Sequence, residues 1–172
     1  LVMVKRINKS SLERFIKNDL PKKLQKDLQD LRIIREADIA CCVYFHLRRF
    51  IGSDKTLKVF AERPSKQTKH IVDMVIFRDF PNKSPDPRIA FELKWNRKRI
   101  SKKDRDSLDQ CIRKLNLGKV YFISVCKKDG VNKVIKSDLE KFRLFEIYIY
   151  PNLPPSKYKE WDARRAKVKD KF

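Results

Sequence analysis

Glycine is scarce, with only Gly52, Gly118 and Gly130 in 172 residues, and no Gly-rich loop of the kind that cradles nucleotide phosphates. Histidine is scarcer still. His46 and His70 are the whole supply, and without a serine motif beside them triad hydrolysis has no support. No apolar run approaches the ~18 residues that a membrane-spanning helix needs. Leu1 to Met3 run straight into a charged, helix-like stretch, so no secretory leader is expected. The four cysteines, Cys41, Cys42, Cys111 and Cys126, lack zinc-ligand spacing and lie among apolar neighbours. They read as buried free thiols, small hydrophobes of an intracellular, cytoplasmic protein.

Acidic residues are also in short supply: 22 Asp and Glu stand against 43 Lys and Arg, a formal charge of +21. A compact chain with that surplus repels itself and attracts polyanions, nucleic acid above all and anionic membrane as the competitor. With 41% hydrophobic residues the chain still has the material for a core. No repeat or internal linker divides it, so residues 1–150 read as a single domain and 151–172 as a basic tail able to form a helix.

Along the chain, Ser10 and Glu13 read as a capping box that opens a short helix. Pro21 suits the first turn of a second helix bearing Leu24, Leu28 and Leu31 on one face. Glu36 to Ile51 is helical, with Gly52 as its stop. Three strand-like runs follow, Leu57–Glu62, His70–Phe80 and Ile89–Trp95. The segment 81–87, with three prolines, is turn chemistry that predicts a hairpin between the last two runs. Asp104–Leu117 is a helix ended by Gly118, Val120–Cys126 a buried strand, Ser137 the cap of a short helix, and Leu144–Tyr150 a last strand. This order predicts an α/β fold, a mixed central sheet flanked by helices.

Carboxylates interrupt two of the apolar strands, Asp73 within Ile71–Phe77 and Glu92 within Ile89–Trp95. A lone charge in such a run is costly unless it is paired or bound to metal. Strand alternation puts Glu92 and Lys94 on one face and Phe91, Leu93 and Trp95 on the other. If the hairpin sets Asp73 opposite Glu92, two hard oxygen donors and an ammonium converge, a donor set that suits Mg²⁺.

Asp73 followed by Glu92-Leu93-Lys94 resembles the PD-(D/E)XK nucleases, the restriction-endonuclease-like superfamily, with Val72 where the motif has proline. The resemblance covers about residues 35–126. It implies an αβββαβ core behind an extra N-terminal helical segment, and metal-dependent endonuclease activity on nucleic acid, with DNA the expected substrate. Structure-selective Holliday-junction resolvases and sequence-selective restriction enzymes are its two patterns. It also implies site roles. Asp73, Glu92 and the backbone carbonyl of Leu93 hold Mg²⁺, with Mn²⁺ as a substitute. Lys94 orients the attacking water, as an ammonium or as a base of depressed pKa. Glu36, with Asp38 as the alternative, supports a second ion or an outer water. Glu62 is a further acid that some members place near the site, and many members dimerise, so a homodimer is an open expectation.

Beside the motif, Arg97, Lys98, Arg99, Lys102 and Lys103 form the expected phosphate-backbone contact. His46 reads as a packed or surface histidine, and His70 as a substrate contact only through its place at the start of the Asp73 strand. Two other readings stand beside the nuclease: a non-catalytic nucleic-acid-binding module on a nuclease-like fold, and a basic RNA-binding protein. In either, Glu92 and Lys94 need be no more than a same-face ion pair, worth about 0–1 kcal/mol.

Overall fold

The computed structural model describes residues 6–64, 71–78, 86–137 and 143–169. Asn8, not Ser10, caps the first helix, α1 (Lys9–Arg14), its Oδ1 accepting the Ser11 N–H at 2.8 Å. Glu13 is thereby released from the expected capping box and pairs instead with Lys119, far along the chain. A π-helical segment, Phe15–Asp19, joins α1 to α2 (Leu20–Gln29). Pro21 accounts for the widened turns. It has no N–H to donate to the carbonyl four residues back and its ring crowds that carbonyl, so the helix loosens just before it, with Leu20 N–H reaching Phe15 O.

Leu20, Leu24 and Leu28 of α2 are buried as their spacing predicts, and Leu31 joins the core only after the helix has ended, at a φ of 57°. The helical material before the strands is therefore in separate pieces, with α3 (Glu36–Ile51) starting anew and stopping at Gly52, whose φ is 53°.

The strands are β1 (Leu57–Pro64), β2 (Ile71–Arg78), β3 (Asp86–Trp95), β4 (Lys119–Val125), β5 (Lys133–Lys136) and β6 (Leu144–Ile149), with α4 (Lys102–Leu115) between β3 and β4 and α5 (Pro155–Lys169) last. They form one six-stranded sheet in the order β1-β2-β3-β4-β6-β5. The first three strands are antiparallel neighbours, β3, β4 and β6 run parallel, and β5 returns antiparallel on β6. This is the mixed sheet that the segment order predicts.

β3 starts earlier than the turn chemistry suggests. Asp86 and Pro87 already pair with Arg78 and Phe77, and the register slips by one residue between Ile76 and Phe77. A bulge is where a strand tolerates proline. The rest of the expected turn, 79–85, lies outside the described residues, as do 138–142, where a helix capped by Ser137 would fall. The exposed strand β5 has no counterpart in the sequence reading.

Both faces of the sheet are covered. Met74, Ile76, Ile89, Phe91, Leu93, Tyr121, Ile123 and Ile147 pack against α1, α2, α3 and α5. Val75, Phe77, Ala90, Val120, Phe122 and Leu144 pack against Leu108, Cys111 and Ile112 of α4. The segment expected as a basic tail is a docked helix: Trp161 of α5 is 1% exposed and its indole N–H donates to Ile33 O at 2.8 Å. Of the cysteines, Cys111 and Cys126 are buried, whereas Cys41 is exposed and Cys42 half-buried, since the α3 stripe turns Ile39 and Val43 inward instead. No described helix is long and apolar enough to cross a membrane.

Candidate active site

β2 and β3 part company at the motif. Their pairing runs from Arg78↔Asp86 to Met74↔Phe91 and stops, while β2 stays paired to β1 as far as Ile71. On the other side, β3 remains on β4 through Trp95↔Val125. The edge of β3 that β2 leaves behind would expose the N–H groups of Leu93 and Trp95, and buried donors need partners. Carboxylates supply both. Leu93 N–H donates to Asp73 Oδ2 at 2.6 Å, and Trp95 N–H donates to Glu36 Oε2 at 3.0 Å.

Glu92 and Lys94 lie on the α4 face, as alternation predicts, and Phe91, Leu93 and Trp95 on the other. Lys94 Nζ is 2.5 Å from Glu92 Oε1, with the two side chains 22% and 13% exposed. Burial, and behind it the charge of Asp73, pushes the Glu92 carboxyl above the usual carboxylate range, although contact with Lys94 opposes the shift. Burial works against the charge on Lys94, but Glu92, then Asp73 and Glu36, outweigh it and raise its pKa. That direction favours the ammonium over a base of depressed pKa for Lys94, and the charges that favour it come from Glu92, Asp73 and Glu36.

Glu36 and Asp38 divide the work at the start of α3. Asp38 Oδ2 accepts the N–H groups of Ile34 and Arg35 at 2.9 and 3.0 Å, which makes it the capping-box partner of Arg35, the N-cap of α3. Glu36 is left to face β3. The side chain of Glu62 and all of His70 lie outside what is described. His46 is elsewhere, its Nε2 2.6 Å from Asp27 Oδ2 between α2 and α3.

Glu92 looks into a cavity of about 150 Å³ under the start of α4, lined also by Val72, Lys103, Asp104, Ser107, Leu108 and Cys111. Lys103 is therefore beside the carboxylates. Arg97, Lys98, Arg99 and Lys102 line a separate open bowl of about 720 Å³ on the connection from β3 to α4. That connection has a fixed backbone. Buried Ser124 takes the Arg97 N–H at 3.0 Å and donates to Arg97 O at 2.8 Å, while Asn96, at a φ of 55°, donates its N–H to Val125 O at 2.7 Å. Ser101 caps α4 through Asp104 N–H at 3.1 Å.

Arg105 joins the bowl and was not anticipated, although it stands one helical turn after Lys102. Nothing in the sequence pointed to Ser124 as the anchor of the basic loop. A third unforeseen feature is the stack on Trp95. Its ring meets Trp161 edge-on with centroids 5.4 Å apart, and the Arg165 guanidinium lies 4.8 Å above it.

Among the described residues, no three His, Cys, Asp or Glu side chains converge closely enough to hold a metal by themselves. Comparison with known protein families, with curated proteins and with solved structures gives no match.

Proposed function

We propose that this protein is a Mg²⁺-dependent endonuclease of the PD-(D/E)XK class, acting on DNA through Asp73, Glu92 and Lys94. The observation that carries the reading is the split between β2 and β3, where Asp73 takes the Leu93 N–H, Glu36 takes the Trp95 N–H and Glu92 pairs with Lys94. The order α3-β1-β2-β3-α4-β4 supports the reading, since helix, three strands, helix and strand is the order that the resemblance implies.

The donor set fits the ion. Mg²⁺ takes one or two carboxylates and keeps several waters, so Asp73, Glu92 and the Leu93 carbonyl suffice without a third acid. A carboxylate whose pKa is raised by burial and a neighbouring anion is one that a cation stabilises on binding. When bound, the ion would lower the pKa of a water and offset charge on the phosphate. The chain's own residues do the rest. Lys94 donates to the attacking water and to the phosphate oxygens. Glu36 holds Trp95 N–H, which fixes the β3 edge on which Leu93 and Lys94 sit. Arg97, Lys98, Arg99, Lys102 and Arg105 take the flanking phosphates.

A second reading, a nucleic-acid-binding module without catalysis, is favoured by one feature: Glu92 is already satisfied by Lys94 at 2.5 Å. A cleavage panel decides between them, with Mg²⁺ or Mn²⁺ and with duplex, single-stranded and four-way DNA and RNA as substrates. Cleavage of DNA that needs the metal is expected. Inactivity on every substrate with either ion, together with retained binding, would establish the module.

A further inference from the structure

We propose that the cavity under α1 is a binding site for a small amphipathic anion, one carboxylate or phosphate head on an apolar body. The cavity measures about 370 Å³ and is lined by Asn8, Lys9, Leu12, Glu13, Leu57, Arg78, Ile89, Gly118 and Lys119, a volume ordinary for small-molecule sites. It is distinct from the candidate active site. Ile89 pairs with Lys119 at the start of β4, whereas Glu92 pairs with Phe122 and Lys94 with Ser124 further along. Ile89 also faces the helical layer of α1 to α3, on the opposite side of the sheet from α4.

The walls and the charges point to the ligand. Leu12, Leu57 and Ile89 are buried apolar residues that offer an apolar lining. Lys9, Arg78 and Lys119 bring three cations to the rim against one lining carboxylate, Glu13. Glu13 is already committed, in contact with Lys119 and 3.9 Å from Lys17. Lys17 and Lys119 both lie over the Phe145 ring, at 3.9 and 5.3 Å. Burial, and next the charge of Lys119, lowers the Lys17 pKa, with Lys136 adding to the effect and Glu13 opposing it.

Among the described residues, Arg78 Nη2 donates to Ile7 O at 2.9 Å, and a guanidinium carries five N–H donors. Asp54, a carboxylate that feels the charge of Arg78, is taken up by Ile7 N–H, Thr56 N–H and the Thr56 hydroxyl. Among the described residues that line this apolar hollow, cations outnumber carboxylates three to one. An anionic head on Arg78 and Lys119 relieves that excess, and an apolar body fills the space between Leu12, Leu57 and Ile89.

The test is a titration of the full chain with phenyl phosphate, octanoate, inorganic phosphate and 1-octanol. It is followed by the methyl NMR signals of Leu12, Leu57 and Ile89 and by calorimetry. The first two probes should move those methyl signals and bind at least tenfold more tightly than either the head alone or the uncharged chain, and their ratio shows which head is preferred. Arg78→Gln should weaken binding about tenfold, and Ile89→Phe should abolish it by filling the cavity. If Ile89→Phe fails to fold, the methyl shifts of the unmodified chain decide the matter. Equal binding of inorganic phosphate and phenyl phosphate would overturn the proposal. So would shifts confined to Arg97–Lys103, or no binding of any probe. None of these readouts depends on cleavage, so the nuclease reading stands or falls separately.

Discussion

Asp54 illustrates how a single buried acid can hold a segment. It is 2% exposed and accepts from Ile7 N–H at 2.8 Å, from Thr56 N–H at 3.0 Å and from the Thr56 hydroxyl at 2.6 Å. Burial alone would raise its pKa, but these hydrogen bonds, with Thr56 foremost, leave it lowered. A depressed carboxylate pKa contributes stability that is fully present above the unfolded value, about 3.9, and is lost as pH falls through the folded value. Asp54→Ala should therefore cost about 2–3 kcal/mol at pH 7. The difference from the unmodified chain should shrink below about pH 3.9. Urea denaturation at pH 7 and pH 3 measures both, and a cost independent of pH would show that the charge is not what matters. Lys94 carries the other residue-scale prediction. Lys94→Ala should reduce Mg²⁺-dependent cleavage by about 10²-fold or more while leaving nucleic-acid affinity within a few-fold, as gel shift and cleavage assays on one preparation would show.

At the scale of elements, α5 is the test of how the fold is held. Trp161 is its anchor, buried against Ile33 and Trp95, and Trp161→Ala should cost about 3–5 kcal/mol. Near-ultraviolet circular dichroism should lose the paired-indole signal at the same time. Full stability in that variant would mean that the helix is not part of the core. Little of this was legible in the sequence. Trp161 stands among Lys157, Lys159, Arg164 and Arg165, and one buried aromatic in a charged stretch has no periodicity to betray it. The β2–β3 neighbourhood was legible, because β-branched and aromatic runs flanked a proline-rich segment. β5 was not: Lys133-Val134-Ile135-Lys136 is four exposed residues whose place is set by β6 alone. Asp73, Glu92 and Lys94 were conspicuous as charges inside apolar strands, whereas Glu36, at the start of a helix, was singled out only through the family resemblance. The parting of β2 from β3 beyond Met74↔Phe91 was not legible, since no residue pattern marks where a ladder ends. Asn8 rather than Ser10 as the cap, and Asn116 at a φ of 47° rather than Gly118 as the end of α4, are choices among equally suitable neighbours.

At the scale of the molecule, a charge of +21 is unevenly used. The bowl of Arg97, Lys98, Arg99, Lys102 and Arg105 sits on a backbone pinned to β4, on the connection that follows the Glu92–Lys94 strand. Replacing Arg97, Lys98 and Arg99 together with alanine should lower the slope of log K against log salt by about 2–3, since each phosphate contact contributes roughly 0.9. An unchanged slope would place the nucleic acid on another face.

A metal held for phosphodiester cleavage in the split between β2 and β3, as proposed, loses an anionic ligand in Asp73→Ala. Cleavage of DNA in Mg²⁺ and binding of the same DNA should be measured side by side for the unmodified chain and this variant. Cleavage should be abolished in the variant while binding persists, because the acid serves the ion and the basic bowl carries the affinity. Cleavage by Asp73→Ala at the unmodified rate would contradict the proposal.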